Sequence, residues 1–140
     1  MPTLEKIFAD VAQRWRDQSL TFGPRSTPAD VARFQTRFQV ECPEDFAAFL
    51  MTLGGMPEGT WDEHLIRFLP LDEIGPATDD PGYFVFADYS ISAHEYGIHL
   101  AIGTDSRRVA LLRDGLALIV APTFTNFLEL YLENPTALFE

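Results

Sequence analysis

Along the first third of the chain, apolar side chains return every third or fourth position, the period of a helix with one buried stripe. Leu4, Ile7, Phe8, Val11 and Trp15 make the first stripe, and Ser19 to Ser26, with Gly23-Pro24, interrupts it. Thr27 is placed to cap a second helix, Pro28 suits the position after the cap, and Asp30 resembles the far side of a capping box. Val31, Phe34 and Phe38 then share a face. A third helix opens after Cys42, with Pro43 at its start and Glu44 and Asp45 against the positive end of the helix dipole. Phe46, Phe49, Leu50 and Leu53 form its stripe, and Gly54-Gly55 ends it by permitting a left-handed turn.

The period then falls from 3.6 to 2. His64–Leu69 and Tyr83–Ile91 read as strands, and so does the alternation of Tyr96, Ile98, Leu100 and Ile102 with Gly97, His99 and Ala101. Leu71–Ile74 makes one helical turn. Arg107–Leu112 and Leu116–Val120 pair across a short Arg113-Asp114-Gly115 turn. Thr123 caps a last helix, Phe124, Phe127, Leu128, Tyr131 and Leu132 give its stripe, and Asn134-Pro135 stops it. Helices, then strands, then a helix predict an α+β fold: a mainly antiparallel sheet of about five strands packed against N-terminal helices and a C-terminal helix. With no repeat, low-complexity tract or long linker, residues 1–140 read as one domain.

Several of these segments carry a resemblance. Pro43-Glu44-Asp45-Phe46, followed by Phe49-Leu50 and Gly54-Gly55, resembles the signature helix of the SMI/KNR family within the SUKH superfamily. Ile66 to Ile74 resembles its following strand and acidic turn. Phe86-Ala87-Asp88-Tyr89-Ser90-Ile91 with Tyr96-Gly97-Ile98 resembles its central strands, and Phe124 with Phe127-Leu128 its final helix. These matches span residues 28–134, with an added N-terminal helix. The sequence departs from the common Phe-Gly-Asp form of the central strand, where Phe86-Ala87-Asp88 stands instead. The resemblance implies an α+β domain that binds other proteins. Bacterial members are commonly immunity proteins that neutralise toxins, often nucleases, and eukaryotic members regulate through partner binding.

Composition adds a core rich in aromatic rings, since 12 of the 140 residues are Phe. The single cysteine, Cys42, rules out an intramolecular disulfide and fits a reducing compartment. The N-terminus mixes acids and bases, unlike a secretory signal. The longest apolar run, Leu116 to Pro122, is 7 residues, too short for a membrane span. A cytoplasmic protein is the expectation. Net charge is −11, and residues 58–95 hold 9 acids against Arg67 alone, so −8 of the total lies there. Such a field repels nucleic acid and anionic membrane and steers a basic partner inward. Its plain alternative is the solvation of loops.

Candidate chemistry is thin. His94-Glu95 with His99 is one residue too long for the H-E-x-x-H zinc motif, and positions five apart on a strand face opposite ways. Cys42, at a helix start where a dipole lowers a thiol pKa, is either a nucleophile or, more ordinarily, a packing residue. Ser90 and Ser106 lack a nucleophile elbow. The pairs Asp62-Glu63, Asp72-Glu73 and Asp79-Asp80 read as solvated carboxylates, and Asp79-Asp80-Pro81-Gly82 as a turn. No catalytic residue, metal or cofactor is assigned.

The expectation is a non-catalytic protein-binding domain, most concretely an immunity-type antagonist of a basic toxin, monomeric or weakly dimeric. A regulatory scaffold of the same family is the alternative, and a small metal-dependent hydrolase using Asp88, His94 and His99 is a further one. Trp61 stands out as an aromatic ring in a polar loop: it is either a docking residue, Trp being enriched at binding hot spots, or a ring folded back on the core to close the loop. The candidate docking residues are therefore Glu58, Trp61, Asp62, Glu63, Asp79, Asp80 and Asp88.

Overall fold

The computed structural model describes residues 3–78, 80, 82–89, 94–100, 107–113 and 115–138. Helix α1 (Leu4–Asp17) starts where the Thr3 hydroxyl accepts from the Lys6 N–H, and it buries Ile7, Phe8, Val11, Ala12 and Trp15. Helix α2 (Pro28–Phe38) has the full capping box: the Asp30 N–H donates to Thr27 Oγ1 at 3.1 Å and the Thr27 N–H to Asp30 Oδ2 at 2.9 Å. Two backbone donors are thereby satisfied before the first helical bond. Helix α3 (Glu44–Thr52) follows Pro43, and Asp45 at its start also holds α4 (Phe124–Glu133) in place. Its Oδ2 accepts from the Thr125 N–H at 2.9 Å and from Thr125 Oγ1 at 2.7 Å.

The sheet has six antiparallel strands among the described residues. They are β1 (Ile66–Phe68), β2 (Gly75–Pro76), β3 (Tyr83–Tyr89), β4 (His94–His99), β5 (Val109–Arg113) and β6 (Leu116–Ala121). The order is β1-β3-β4-β5-β6, with the two-residue β2 also paired to β3. The expected α+β architecture is present, and β2 is the extra strand. The first strand is shorter than its apolar run because Leu65, at φ 63°, belongs to the preceding turn. Conversely, His94 and Glu95 lie inside β4. Leu71–Glu73 forms the expected single turn, as a 3-10 helix. The expected strand ends at Ile91 and Ile102 fall outside the described residues, as do Ser106 and the Asp114 and Pro81 positions of two expected turns.

Directly opposed residues on paired strands share a face. Ile66, Phe68, Ala87, Tyr96 and Ile98 occupy the face covered by helices, where Phe68 meets Trp15, Phe49, Phe127 and Tyr131. A register shift between Val85 and Ala87 inserts an extra residue into β3. That residue, Phe86, reaches Phe46, Phe124 and Phe127. Most of these ring pairs are edge-to-face, an arrangement contributing about 0.5–1.5 kcal/mol each beyond simple burial. Alternation then sends Arg67, Asp88 and Glu95 to the other face in one cross-strand row, with Tyr83 and His99 in another.

The chain between α1 and α2 is stitched to the end of α3. The Gly23 N–H donates to the Gly55 carbonyl at 2.7 Å, and the Ser26 N–H to the Leu50 carbonyl at 3.0 Å. Only glycine fits at this junction. Gly54 has φ +86°, and a Cβ there would sit 2.3 Å from the Pro24 carbonyl oxygen; one on Gly55 would sit 2.8 Å from the Leu69 backbone. Gly54→Ala is therefore expected to lower unfolding free energy in urea by at least about 2 kcal/mol. Gly59→Ala, at φ +84° with nothing within 4 Å, should cost only the backbone strain. Equal losses for the two variants would remove the Pro24 contact as the cause.

Candidate docking surface

The loop from Met56 to Leu65 carries four of the candidate residues, and the fold ties it down from three sides. From β1, Arg67 donates through Nε to the Pro57 carbonyl at 3.1 Å and through Nη2 to the Met56 carbonyl at 3.0 Å. The same guanidinium makes a two-pronged pair with Glu73 at 2.9 and 2.8 Å. Its pKa is raised by the hydrogen bond to Glu73, with the charges of Glu73, Asp88 and Glu58 adding in the same direction. From the C-cap of α1, Gln18 Oε1 accepts from the Glu63 N–H at 2.8 Å. From α4, Tyr131 donates its hydroxyl to Asp62 Oδ2 at 2.5 Å, while Trp15 Nε1 donates to the Tyr131 oxygen at 3.0 Å. Asp62 Oδ1 completes the knot by accepting from the His64 and Ile66 N–H groups at 2.8 and 2.9 Å.

The candidate residues therefore divide. Asp62, only 3% exposed, turns its carboxylate into the protein, where it organises the turn. Asp88 is buried in the Arg67–Asp88–Glu95 row. Glu58, Glu63 and Asp80 are exposed, and Trp61 is half-buried with its indole N–H shielded from solvent and no described acceptor. Asp79 lies outside the described residues. Two features of the surface went unnoticed in the sequence. Leu65 is 50% exposed at the tip of the Asp62 turn, and Arg67 is buried as the loop's anchor. The solitary base among so many acids was the available signal for Arg67; nothing local marks Leu65.

The residues considered for chemistry do not converge. His94 lies on the helix-covered side, stacked on Tyr89 with centroids 5.7 Å apart, whereas His99 lies on the other side against Tyr83. Burial, and then Arg108, push the His99 pKa down against the opposing pull of Asp80. Burial pushes the Cys42 thiol up to about 11, which favours the packing reading over a dipole-activated nucleophile. Burial, then the Asp62 charge, hold the Tyr131 phenol well above its ordinary value, keeping it a donor. Among the described residues, no group of three or more His, Cys, Asp or Glu is placed to hold a metal ion. No helix among them is long and apolar enough to cross a membrane.

Helices stacked on one side of an antiparallel meander, with an acidic loop pinned at its edge, define a helix-backed α+β domain. The chain belongs to the SMI1 / KNR4 family (SUKH-1), whose family model matches residues 25–130. Domains of this family commonly bind protein partners and are generally not catalysts. A comparison with curated proteins gave no match.

Replacing Asp62 by Ala would leave two backbone N–H groups and the Tyr131 hydroxyl without their shared acceptor. With about 1–3 kcal/mol for each donor left unsatisfied, the expected loss is about 3 kcal/mol or more in denaturant unfolding, against under about 0.5 kcal/mol for Glu63→Gln. Similar losses would show that the inward carboxylate is not what holds the turn. For Cys42, alkylation of the folded protein at neutral pH should be far slower than in urea. The folded thiol keeps its proton to about 11 and the unfolded one loses it near 9.0, so its contribution to stability is complete below that lower value and is lost as pH rises through the window. Rapid labelling of the folded chain at neutral pH would contradict the burial.

Proposed function

We propose that the chain is a non-catalytic binding domain that docks a basic protein through the Glu58–Leu65 loop, with the exposed Asp80, at the opposite end of β3, adding attraction at a distance. The observation that carries this reading is a loop fixed by Arg67, Gln18 and Tyr131 that still turns Glu58, Glu63 and Leu65 outward. Ordering a loop on binding costs about 0.5–1.5 kcal/mol per immobilised side chain, and a preorganised backbone avoids part of that cost. Trp61 and Leu65 supply apolar contact, and the carboxylates supply attraction at a distance. Asp62 and Asp88 act from beneath, through the loop and through Arg67. The most concrete form of the proposal is an immunity role in the bacterial cytoplasm against a basic toxin such as a nuclease; the surrounding negative charge disfavours nucleic acid and anionic membrane as ligands.

A specific observation also favours a scaffold reading. β6 ends the sheet without a neighbour beyond it among the described residues, and Leu116, Leu118 and Ile119 are 60%, 39% and 55% exposed. An uncharged apolar edge is a template for strand pairing. Sedimentation over a range of concentrations separates the two, since self-pairing gives a dimer that Leu118→Lys dissolves.

The docking proposal is tested by looking for a toxin domain encoded beside the gene and, where one is found, measuring its association with the chain. Glu58→Lys, Glu63→Lys and Asp80→Lys together should slow association about tenfold or more at low ionic strength, with most of the difference gone in high salt. The far-ultraviolet spectrum should not change, because all three side chains are exposed. An association rate equal to the parent's at low salt would sink the electrostatic part. Failure of the parent to protect cells from that toxin would sink the immunity part.

A further inference from the structure

We propose that the groove between α2 and the Pro70–Asp72 turn is a second docking site, which receives an extended acidic segment of a partner protein with an apolar side chain as anchor. The groove has a volume of about 800 Å³, and its floor and walls include Pro24, Phe34, Pro70 and Leu71. Phe34 is held by Phe38 and Phe84, at centroid distances of 4.9 and 5.7 Å, so the apolar floor is fixed from the sheet side. The wall formed by Pro24 to Ser26 is equally fixed, by the Gly23–Gly55 and Ser26–Leu50 backbone bonds.

Charge identifies the occupant. Three of the chain's 10 bases, Arg25, Arg33 and Arg37, line this groove, although the chain as a whole carries −11. Residues 24–37 hold those three arginines against Asp30 alone. Arg33 is paired with Asp30, which also serves the helix cap. Arg25 and Arg37 are exposed, and no described carboxylate lies within ion-pair distance of either. The Arg37 guanidinium rests over the Phe38 ring, 4.8 Å from its centroid. A planar guanidinium supported on an aromatic face is suited to two-pronged recognition of a carboxylate.

The open, partly apolar shape selects among acidic ligands. Small-molecule sites enclose most of their ligand, whereas Arg25, Arg33, Thr36 and Arg37 all stand exposed along this trough. Three arginines beside Asp30 and Asp72, on a strongly negative protein, make a poor nucleic-acid track. A protein segment with carboxylates spaced around a Leu or Phe meets both the rim and the floor. This site does not rest on the acidic-loop proposal and has the opposite charge preference.

The test is an amide chemical-shift titration of the isotope-labelled full chain with three short end-blocked peptides. One alternates glutamate with leucine and phenylalanine, one replaces every glutamate by lysine, and one replaces every apolar residue by serine. The first should give saturable shifts concentrated at residues 24–37 and 70–72, and the other two should bind at least about tenfold more weakly. Arg25→Glu with Arg37→Glu should weaken the first peptide about tenfold or more while the unfolding temperature stays put, both side chains being exposed. The proposal is overturned by equal shifts from the glutamate and lysine peptides, by no saturable binding, or by an arginine-reversed variant that binds as before. Free glutamate reproducing the full pattern would make this a small-anion site, and groove shifts that grow with protein concentration alone would assign it to a second copy. Either result also overturns it.

Discussion

A buried carboxylate with both of its oxygens hydrogen-bonded is the constraint on which the presented surface depends. Asp62 accepts from two backbone N–H groups of its own turn and from Tyr131, which takes a bond from Trp15. A charge taken out of water is costly unless such partners replace its hydration. The partners here come from α1, α4 and the entry to β1. The turn therefore exists only when those elements are packed, and the shape of the loop is a consequence of the whole core. Trp15 and Tyr131 are also among the largest fully buried side chains and share contact with Phe68. The polar knot and the aromatic cluster are thus one unit.

Arg67 has the complementary part in the distribution of charge. It is the one base in the acid-rich stretch, and it is spent internally on Glu73 and on two loop carbonyls. The exposed field of that stretch is consequently weaker than its formal count, since Asp62 and Asp88 also lie inside. Among the described residues, Glu58, Glu63, Asp72 and Asp80 face solvent, with Glu73 partly engaged by Arg67. This leaves a surface that is acidic where the loop is rigid, the combination that favours fast and selective capture over sheer affinity.

Local rules were enough for most of the architecture. The Thr27–Asp30 box, the helix stripes, the Gly54-Gly55 stop and the change of period all act within a few residues, and each appears in the structure where the sequence puts it. What was not legible depends on distant partners. An aspartate in a polar loop looks solvated, and Asp62 is buried only because Tyr131, 69 residues later, reaches it. His94-Glu95 looks like a loop until Tyr89 and the Arg67–Asp88 row are brought alongside. Cys42 can be read from its helix start as an activated thiol or, more ordinarily, as packing, and only the distant core packed around it favours the second. The groove arginines were visible individually, but their convergence required α2 to lie against a turn some 40 residues away.

The segment from Met56 to Glu73 serves both proposed surfaces: it forms the acidic loop, the strand carrying Arg67, and the groove floor at Pro70–Asp72. Shared structure invites the idea that filling one site alters the other. Coupling of that kind requires an element with two arrangements that the two ligands favour unequally. The connecting element is a guanidinium buried to 6% exposure and fixed by four hydrogen bonds to the loop carbonyls and Glu73. Moving it would strand two carbonyls and expose or orphan a charge, a cost of several kcal/mol that exceeds the roughly 1–3 kcal/mol typical of allosteric coupling. The clamp that makes each surface rigid therefore also keeps them energetically separate, so that an acidic and a basic ligand segment would bind side by side with nearly additive free energies.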